Sequence, residues 1–482
     1  MLIGLLLRTM LMIDLPYGNI HPDSADLLMT PDYLIHKGQP RLNSKKTFLV
    51  PVLYTAAFAV PKAPALVVIP LAQHLLGLAT VAIAALLCRL WLRHWQWIVV
   101  PVTLLLAVNP ALIWFEHSLM SETAFVFCTA LLALAGTFYA LRPEKRNFVF
   151  LCVALVLEAG ARPEGKLLFA FGFLLVLLVA WPEWKKALRP LGILLVVAIP
   201  THFATLTGQA GLLLYTSLLR IAPDHSKIAP GVEDYTAPIR AKFQAQWATH
   251  PSYPHASERK ELSEAIASYL KQKNLPHRNR QIEELCKRLS MEVCLNEIPQ
   301  IPNLIFHKWR HTALSSPSED FDEFALETKR DRAIQNANEL MIRNAQALIG
   351  RPLADSAAVE AFFKSTDAAA KTSWLNQWTE RWFRFFGAWR MPDTAFPDGF
   401  VEHGLPFYML LAFCGFALLA FRPPRAFHVA WGLSLVGLFF VVLLTANVRP
   451  RFRLFFEPYW LLAWGAIFDT ALAAILRCFK RS

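Results

Sequence analysis

Long apolar stretches alternate with short basic connections along most of this chain. Apolar runs lie near 1–15, 64–88, 97–114, 119–141, 147–160, 166–181, 190–206, 404–421, 427–446 and 454–476. Several are close to the ~20 residues that cross a bilayer as a helix. The pattern predicts an all-α, polytopic membrane helix bundle of about ten spans. The pair 147–160 and 166–181 is short and reads as broken or tilted. The first run, Met1 to Ile13, is short and interrupted by Arg8. It reads as a tilted or truncated first helix, for which a start codon placed too late is an alternative, and it lacks the pattern of a cleavable signal.

Between 207 and 403 the pattern changes to a polar segment punctuated by prolines. Helical periodicity recurs near 257–274, 278–296, 319–349 and 354–371. The segment is too long for a plain connection and predicts a helical extracytoplasmic domain. The expected organisation is therefore an N-terminal membrane domain 1–206 with a first outer loop 16–63, the insertion 207–403, and a C-terminal membrane domain 404–482. Near the end of the insertion Trp374, Trp378, Trp382, Phe385 and Trp389 fall on one helix face, accompanied by Arg381, Arg384 and Arg390. That face predicts a helix lying in the membrane interface, in preference to a domain-core helix.

Composition agrees with this reading. The chain is 55% hydrophobic and 17% charged over 482 residues, more apolar surface than a soluble domain buries. The formal charge of +12 is that of a membrane protein with basic loops, and no nucleic-acid-binding module accompanies it. One set of short loops with the C-terminus carries Arg89, Arg93, Arg142, Lys145, Arg146, Lys185, Lys186, Arg189, Arg422, Arg425, Arg477, Lys480 and Arg481. Leaving out 207–403, the opposite set carries Lys37, Arg41, Lys45, Lys46, Lys62, Arg162, Lys166, Arg449, Arg451 and Arg453. Thirteen against ten places the first set in the cytoplasm. The seven cysteines form no metal-binding pattern. Cys286 and Cys294 would be about 12 Å apart on a straight helix, so pairing them requires a chain reversal.

Four polar clusters fall on the outward side. His21-Pro-Asp23-Ser24-Ala-Asp26 offers a carboxylate as a general base, and equally a helix cap at Asp23 or Ser24 with Asp26 in the first turn. Glu116-His117-Ser118-Leu-Met-Ser121-Glu122 sets two acids and a histidine in a short turn, with a capping box from Ser118 as the alternative. Arg162-Pro-Glu164-Gly165-Lys166 follows Glu158, and headgroup snorkelling is its plainer reading. Arg449, Arg451 and Arg453 stand at the mouth of the last run, where cations are disfavoured unless an anion such as a lipid phosphate is held. His74, His202 and Asp469, within or at the ends of runs, are expected to make interhelical hydrogen bonds.

These clusters resemble the GT-C glycosyltransferases, membrane enzymes that use polyprenyl-phosphate sugars and include protein O-mannosyltransferases and lipid A aminoarabinose transferases. Pro22-Asp23-Ser24 is similar to their Asp-containing first outer loop, with Ser24 where a second acid sometimes stands. Phe48-Leu-Val-Pro51-Val-Leu-Tyr54 and the apolar helix ending in Arg89 match the usual sequel. Leu119-Met-Ser121-Glu122-x-x-Phe125, Arg162-Pro-Glu-Gly165 and Arg451-Phe-Arg453-Leu-x-x-Glu457-Pro458 resemble later motifs. The resemblance covers roughly 14–180 and 400–476 and leaves the insertion unmatched.

The resemblance implies transfer of a sugar from a polyprenyl-phosphate donor to a hydroxyl acceptor on a lipid, glycan or protein, with inversion at the sugar carbon. Asp23 would be the base. Arg162, Arg451 and Arg453, with Arg449 as an anchor, would hold the phosphate among membrane lipids. Glu122 would position the sugar or acceptor, or assist a divalent metal, and Glu116, His117 and Asp26 are further candidates. A bacterial inner membrane with the site facing the periplasm fits the compact loops. A lipid or anion transporter and a non-catalytic scaffold are the rival readings. Transporters tend to carry internal repeats and broken midplane helices, and no repeat is visible here.

Overall fold

The computed structural model describes residues 1–20, 24–38, 47–181, 183–204, 210–249, 256–305, 339–375, 377, 378, 381, 407–445 and 456–479. Asp23, Arg449, Arg451 and Arg453 lie outside these, as do Trp382, Arg384, Phe385, Trp389 and Arg390 of the aromatic face and the start of the helix expected at 319–349. The described residues form no strand; a parallel bridge joins Asn19 and Ser118.

Contacts divide the chain into two compact units. The first comprises Met1–Leu206, Ser316–Leu435 and Leu454–Ser482; the second comprises Thr207–Ser315 and Val436–Arg453. The segment expected as one domain at 207–403 thus contributes to both.

In the first unit the helices are α1 (Leu2–Asp14), α2 (Ser24–Lys37), α3 (Leu49–Phe58), α4 (Ala65–Trp91), α5 (Trp95–Ala107), α6 (Pro110–His117), α7 (Glu122–Leu141), α8 (Lys145–Ala161), α9 (Phe169–Ala180) and α10 (Leu188–Ala204). Every apolar run is helical where described. By length and composition, four stretches among the described residues suffice to cross a membrane alone: α4, α7, Pro163–Ala180 and Glu457–Phe479. The pair α5 and α6, bent by 46°, makes a fifth if counted as one span, against the ten expected. The bend has a local cause. Asn109 accepts from the Ala111 and Leu112 N–H groups and Pro110 opens α6, so the chain restarts there as a capped helix. Leu75, Val100 and Phe468 are each more than half exposed in the middle of such helices. Apolar side chains turned outward suit a lipid surround, and the chain is an integral membrane protein.

The second unit contains α11 (Ala210–Leu218), α12 (Glu233–Thr249), α13 (Ala256–Gln272) and α14 (Asn279–Asn296). Its core gathers Phe243, Leu262, Ile266, Cys286 and Leu289. The Glu283 carboxylate accepts from the Gly211 and Leu212 N–H groups, which fixes the start of α11 on α14. Cys286 and Cys294 both lie on α14 as free thiols. A hydrogen bond from the Arg240 guanidinium holds the exposed Asp224 carboxyl below the usual carboxylate range.

The remaining helices are α15 (Ser356–Thr372), α16 (Phe407–Ala420), α17 (Arg425–Thr445) and α18 (Glu457–Phe479). Residues 339–349 are also helical, and with α15 they pack on α2 and α3 in one apolar cluster that includes Leu28, Tyr54, Met341 and Phe363. Asp32 of α2 accepts from Asn344 at 2.6 Å and Arg343 at 3.1 Å. Part of 207–403 therefore braces α2 and α3, the two helices described within 16–63. Trp374 and Trp378 of the aromatic face meet edge to face at 6.4 Å.

The loops sort into two groups. At one end of α4, Asp469 of α18 accepts from the backbone N–H of Arg93 and His94, the His94 ring and the Arg422 guanidinium. At the other end, the Gly18 N–H donates to the Leu66 carbonyl and the Asn19 N–H to the His117 carbonyl. Arg93 and Arg422 come from the more basic set of connections. The segments at the other end come from the opposite set.

Candidate active site

The turn between α6 and α7 is the hub of the second end. Four carbonyl partners pin it: Asn19 N–H on His117, Ser24 Oγ on Leu119 at 2.7 Å, and both Gln73 Nε2 (2.9 Å) and Tyr54 O–H (3.3 Å) on Met120. Ser24 is the first residue of α2, and its hydroxyl donates to the Leu119 carbonyl. Its neighbour Asp26 lies in the first turn of α2, half-buried. The capping box expected from Ser118 does not form, since Ser118 Oγ donates to the Trp114 carbonyl and Ser121 makes no side-chain cap.

Glu122 opens α7 and is 1% exposed. Arg162, where α8 ends before Pro163, donates to Glu122 at 2.7 Å and to Ser121 Oγ at 3.2 Å. The same guanidinium donates to both oxygens of Glu164, at 3.2 and 3.3 Å. Arg162 is therefore not snorkelling; it is buried between two carboxylates. Pro163 holds its extended backbone, and Gly165 is required by close approach, because a Cβ there would lie 2.2 Å from the Glu158 carbonyl oxygen. Glu158 is fully buried and accepts from Thr129 Oγ1 at 2.7 Å.

Glu116 and His117, expected in a short turn, end α6 and are also buried, at 3% and 0%. Arg8 of α1 donates to both Glu116 oxygens at 2.6 Å. His74 of α4 meets Glu116 through Nδ1 at 2.9 Å and His117 through Nε2 at 3.3 Å. His117 Nε2 then meets the Tyr17 carbonyl at 3.1 Å. Arg8 escaped the sequence reading as a site residue because a lone cation in a short apolar run looks like an interruption. Its one signal was that a buried cation requires an anion, and Glu116 is that anion. Glu116 and Glu122 both border a cavity of about 20 Å³, room for a single water, which Arg8, Thr80 and Thr123 also line.

The structure thus brings together Glu116 with His117 and Glu122 with Arg162, and sets Ser24, next in the chain to Asp23, against the same turn. Among the described residues no three histidine, cysteine or carboxylate side chains converge as metal ligands. The Glu122 carboxylate is engaged by Arg162.

No family model matches the chain, and no curated protein does. Among solved structures the chain is similar to ArnT from Cupriavidus metallidurans bound to undecaprenyl phosphate, with 11% identity and a TM-score of 0.35 across 97% of this chain and 77% of that one.

Proposed function

We propose that the chain is a membrane glycosyltransferase that moves a sugar from a polyprenyl-phosphate donor to a hydroxyl acceptor on the non-cytoplasmic side. One observation carries this reading. Motif residues far apart in sequence, Ser24, 119–125 and 162–165, meet through the Ser24–Leu119 and Arg162–Glu122 contacts, each at 2.7 Å. The separation of loops at the two ends of α4 supports a single outward face. The bacterial inner membrane remains the location we favour.

In the proposed reaction Asp23 takes the proton of the acceptor hydroxyl. The oxygen attacks the anomeric carbon as its bond to the phosphate oxygen breaks, and polyprenyl phosphate leaves with the electron pair. Phosphate needs no strong acid to leave, but its charge needs cations. Arg451 and Arg453, with Arg449 as an anchor, supply them. Arg162 faces two carboxylates, so its main role in this reading is to hold Glu122 toward sugar or acceptor.

A second reading, a lipid or anion transporter, is favoured by the break between α5 and α6. Purified protein with a radiolabelled polyprenyl-phosphate sugar separates the two. The transferase reading expects labelled acceptor, abolished by Asp23→Asn, and weaker donor binding by Arg453→Ala. Donor movement across vesicles without sugar release is the outcome that establishes the transporter instead. An Asp23→Asn variant that transfers at the wild-type rate removes Asp23 from the base role.

A further inference from the structure

The proton count of the Arg8–Glu116–His74–His117 chain does not close with neutral histidines. Arg8 donates to both Glu116 oxygens, the fork geometry of an ionised carboxylate. Such a carboxylate only accepts, so the His74 Nδ1 facing it carries a proton. The Tyr17 carbonyl also only accepts, so the His117 Nε2 facing it carries a proton. His74 Nε2 and His117 Nδ1 then face each other at 3.3 Å. Two neutral rings would set lone pair against lone pair there. A third proton makes that contact a hydrogen bond.

We propose that His74 and His117 share one excess proton, and that this proton ties α4 and the α6–α7 turn to the segment Tyr17–Asn19 leading into α2. The geometry around the rings carries it: the Glu116 carboxylate faces His74, the Tyr17 carbonyl faces His117, and the Leu15 backbone also bonds the His117 ring. No other charged side chain is in hydrogen-bond contact with the two rings among the described residues. The link is positional. Its residues touch no reacting atom, but the His117 backbone carbonyl accepts from Asn19 while its ring holds Tyr17. When the proton leaves at alkaline pH, the two ring nitrogens repel and that hold on the segment before Asp23 weakens. Only this catalytic consequence rests on the transferase reading.

The test is nitrogen NMR on full-length protein carrying isotope-labelled histidine in lipid bilayers. A nitrogen–nitrogen coupling across a ring–ring hydrogen bond arises only from a histidine pair, so it needs no variant. The expected result at neutral pH is that coupling, with one further proton-bearing nitrogen on each ring. Absence of the coupling, with two unprotonated ring nitrogens, overturns the shared proton. In parallel, sugar transfer by wild type is expected to fall about tenfold between neutral and alkaline pH, as for loss of one essential proton. The His74→Gln variant is expected to be slower at neutral pH and to lose that alkaline fall. An unchanged alkaline fall in the variant overturns the positional role. If no sugar transfer is found under any condition, the transferase reading fails while the coupling still decides the proton.

Discussion

Arg8, in the middle of the first helix, reaches Glu116 at the end of the sixth and donates to both of its oxygens at 2.6 Å. Arg8 also donates to the Gly4 and Ala107 carbonyls, so every nitrogen of its guanidinium has a partner inside the bundle. Arg8→Ala is expected to lower stability by roughly 3–5 kcal/mol, the cost of stranding a buried carboxylate. The double variant Arg8→Met with Glu116→Gln should recover most of that loss, since neither partner of the ion pair is then left behind. Thermal unfolding of the set in detergent reads the difference. A double variant as unstable as Arg8→Ala would mean the helix is held by something other than the pair.

Glu122 presents a contrast. Its partner Arg162 also holds Glu164. Glu122→Ala leaves Arg162 paired, so the expected loss is about 1.5–3 kcal/mol, that of hydrogen bonds to a charged group. The ordering is what the unfolding experiment checks: Arg8→Ala should be the more damaging of the two.

α16 and α18 touch at Gly415, where an added Cβ would lie 2.0 Å from the Ala463 carbonyl oxygen. Backbone cannot yield as a flexible side chain does. Gly415→Ala is expected to push the helices apart at a cost of about 1–3 kcal/mol. Gly432→Ala, where a Cβ meets nothing within 4 Å, is the matched control and should be silent. Equal melting of both variants would show that α16 does not pack on α18 this closely.

Asp469 is 1% exposed and accepts from two backbone N–H groups, the His94 ring and Arg422. Asp469→Ala is expected to cost roughly 3–5 kcal/mol, because Arg422 loses its carboxylate and two loop amides lose their acceptor. Asp469→Asn, which keeps one acceptor oxygen, should fall between this and wild type in thermal unfolding. If Asp469→Ala melts like wild type, the carboxylate does not fasten the last helix to the α4–α5 connection.

The helices were legible in the chain because hydropathy over ~20 residues is a local property: a run of side chains that water rejects becomes a helix wherever it is placed. The start of α2 after Asp23 and the turn at Arg162-Pro163 were legible for the same reason, since a proline acts on its immediate neighbour. Partner choice was not legible. Ser24 donates to Leu119, a partner 95 residues away. Arg162 looked like a cation facing headgroups and instead lies between Glu122 and Glu164.

The sequence by itself determined that this is a helical membrane protein, that its basic loops are biased to one side, and which short motifs carry acids and arginines. Only the tertiary structure decided that Arg8 neutralises Glu116, that His74 bridges Glu116 to His117, and that motif residues from three segments meet at one turn. The physical reason is distance along the chain. Arg8 and Glu116 are separated by 108 residues, and a buried charge finds its partner through packing rather than through its neighbours in sequence.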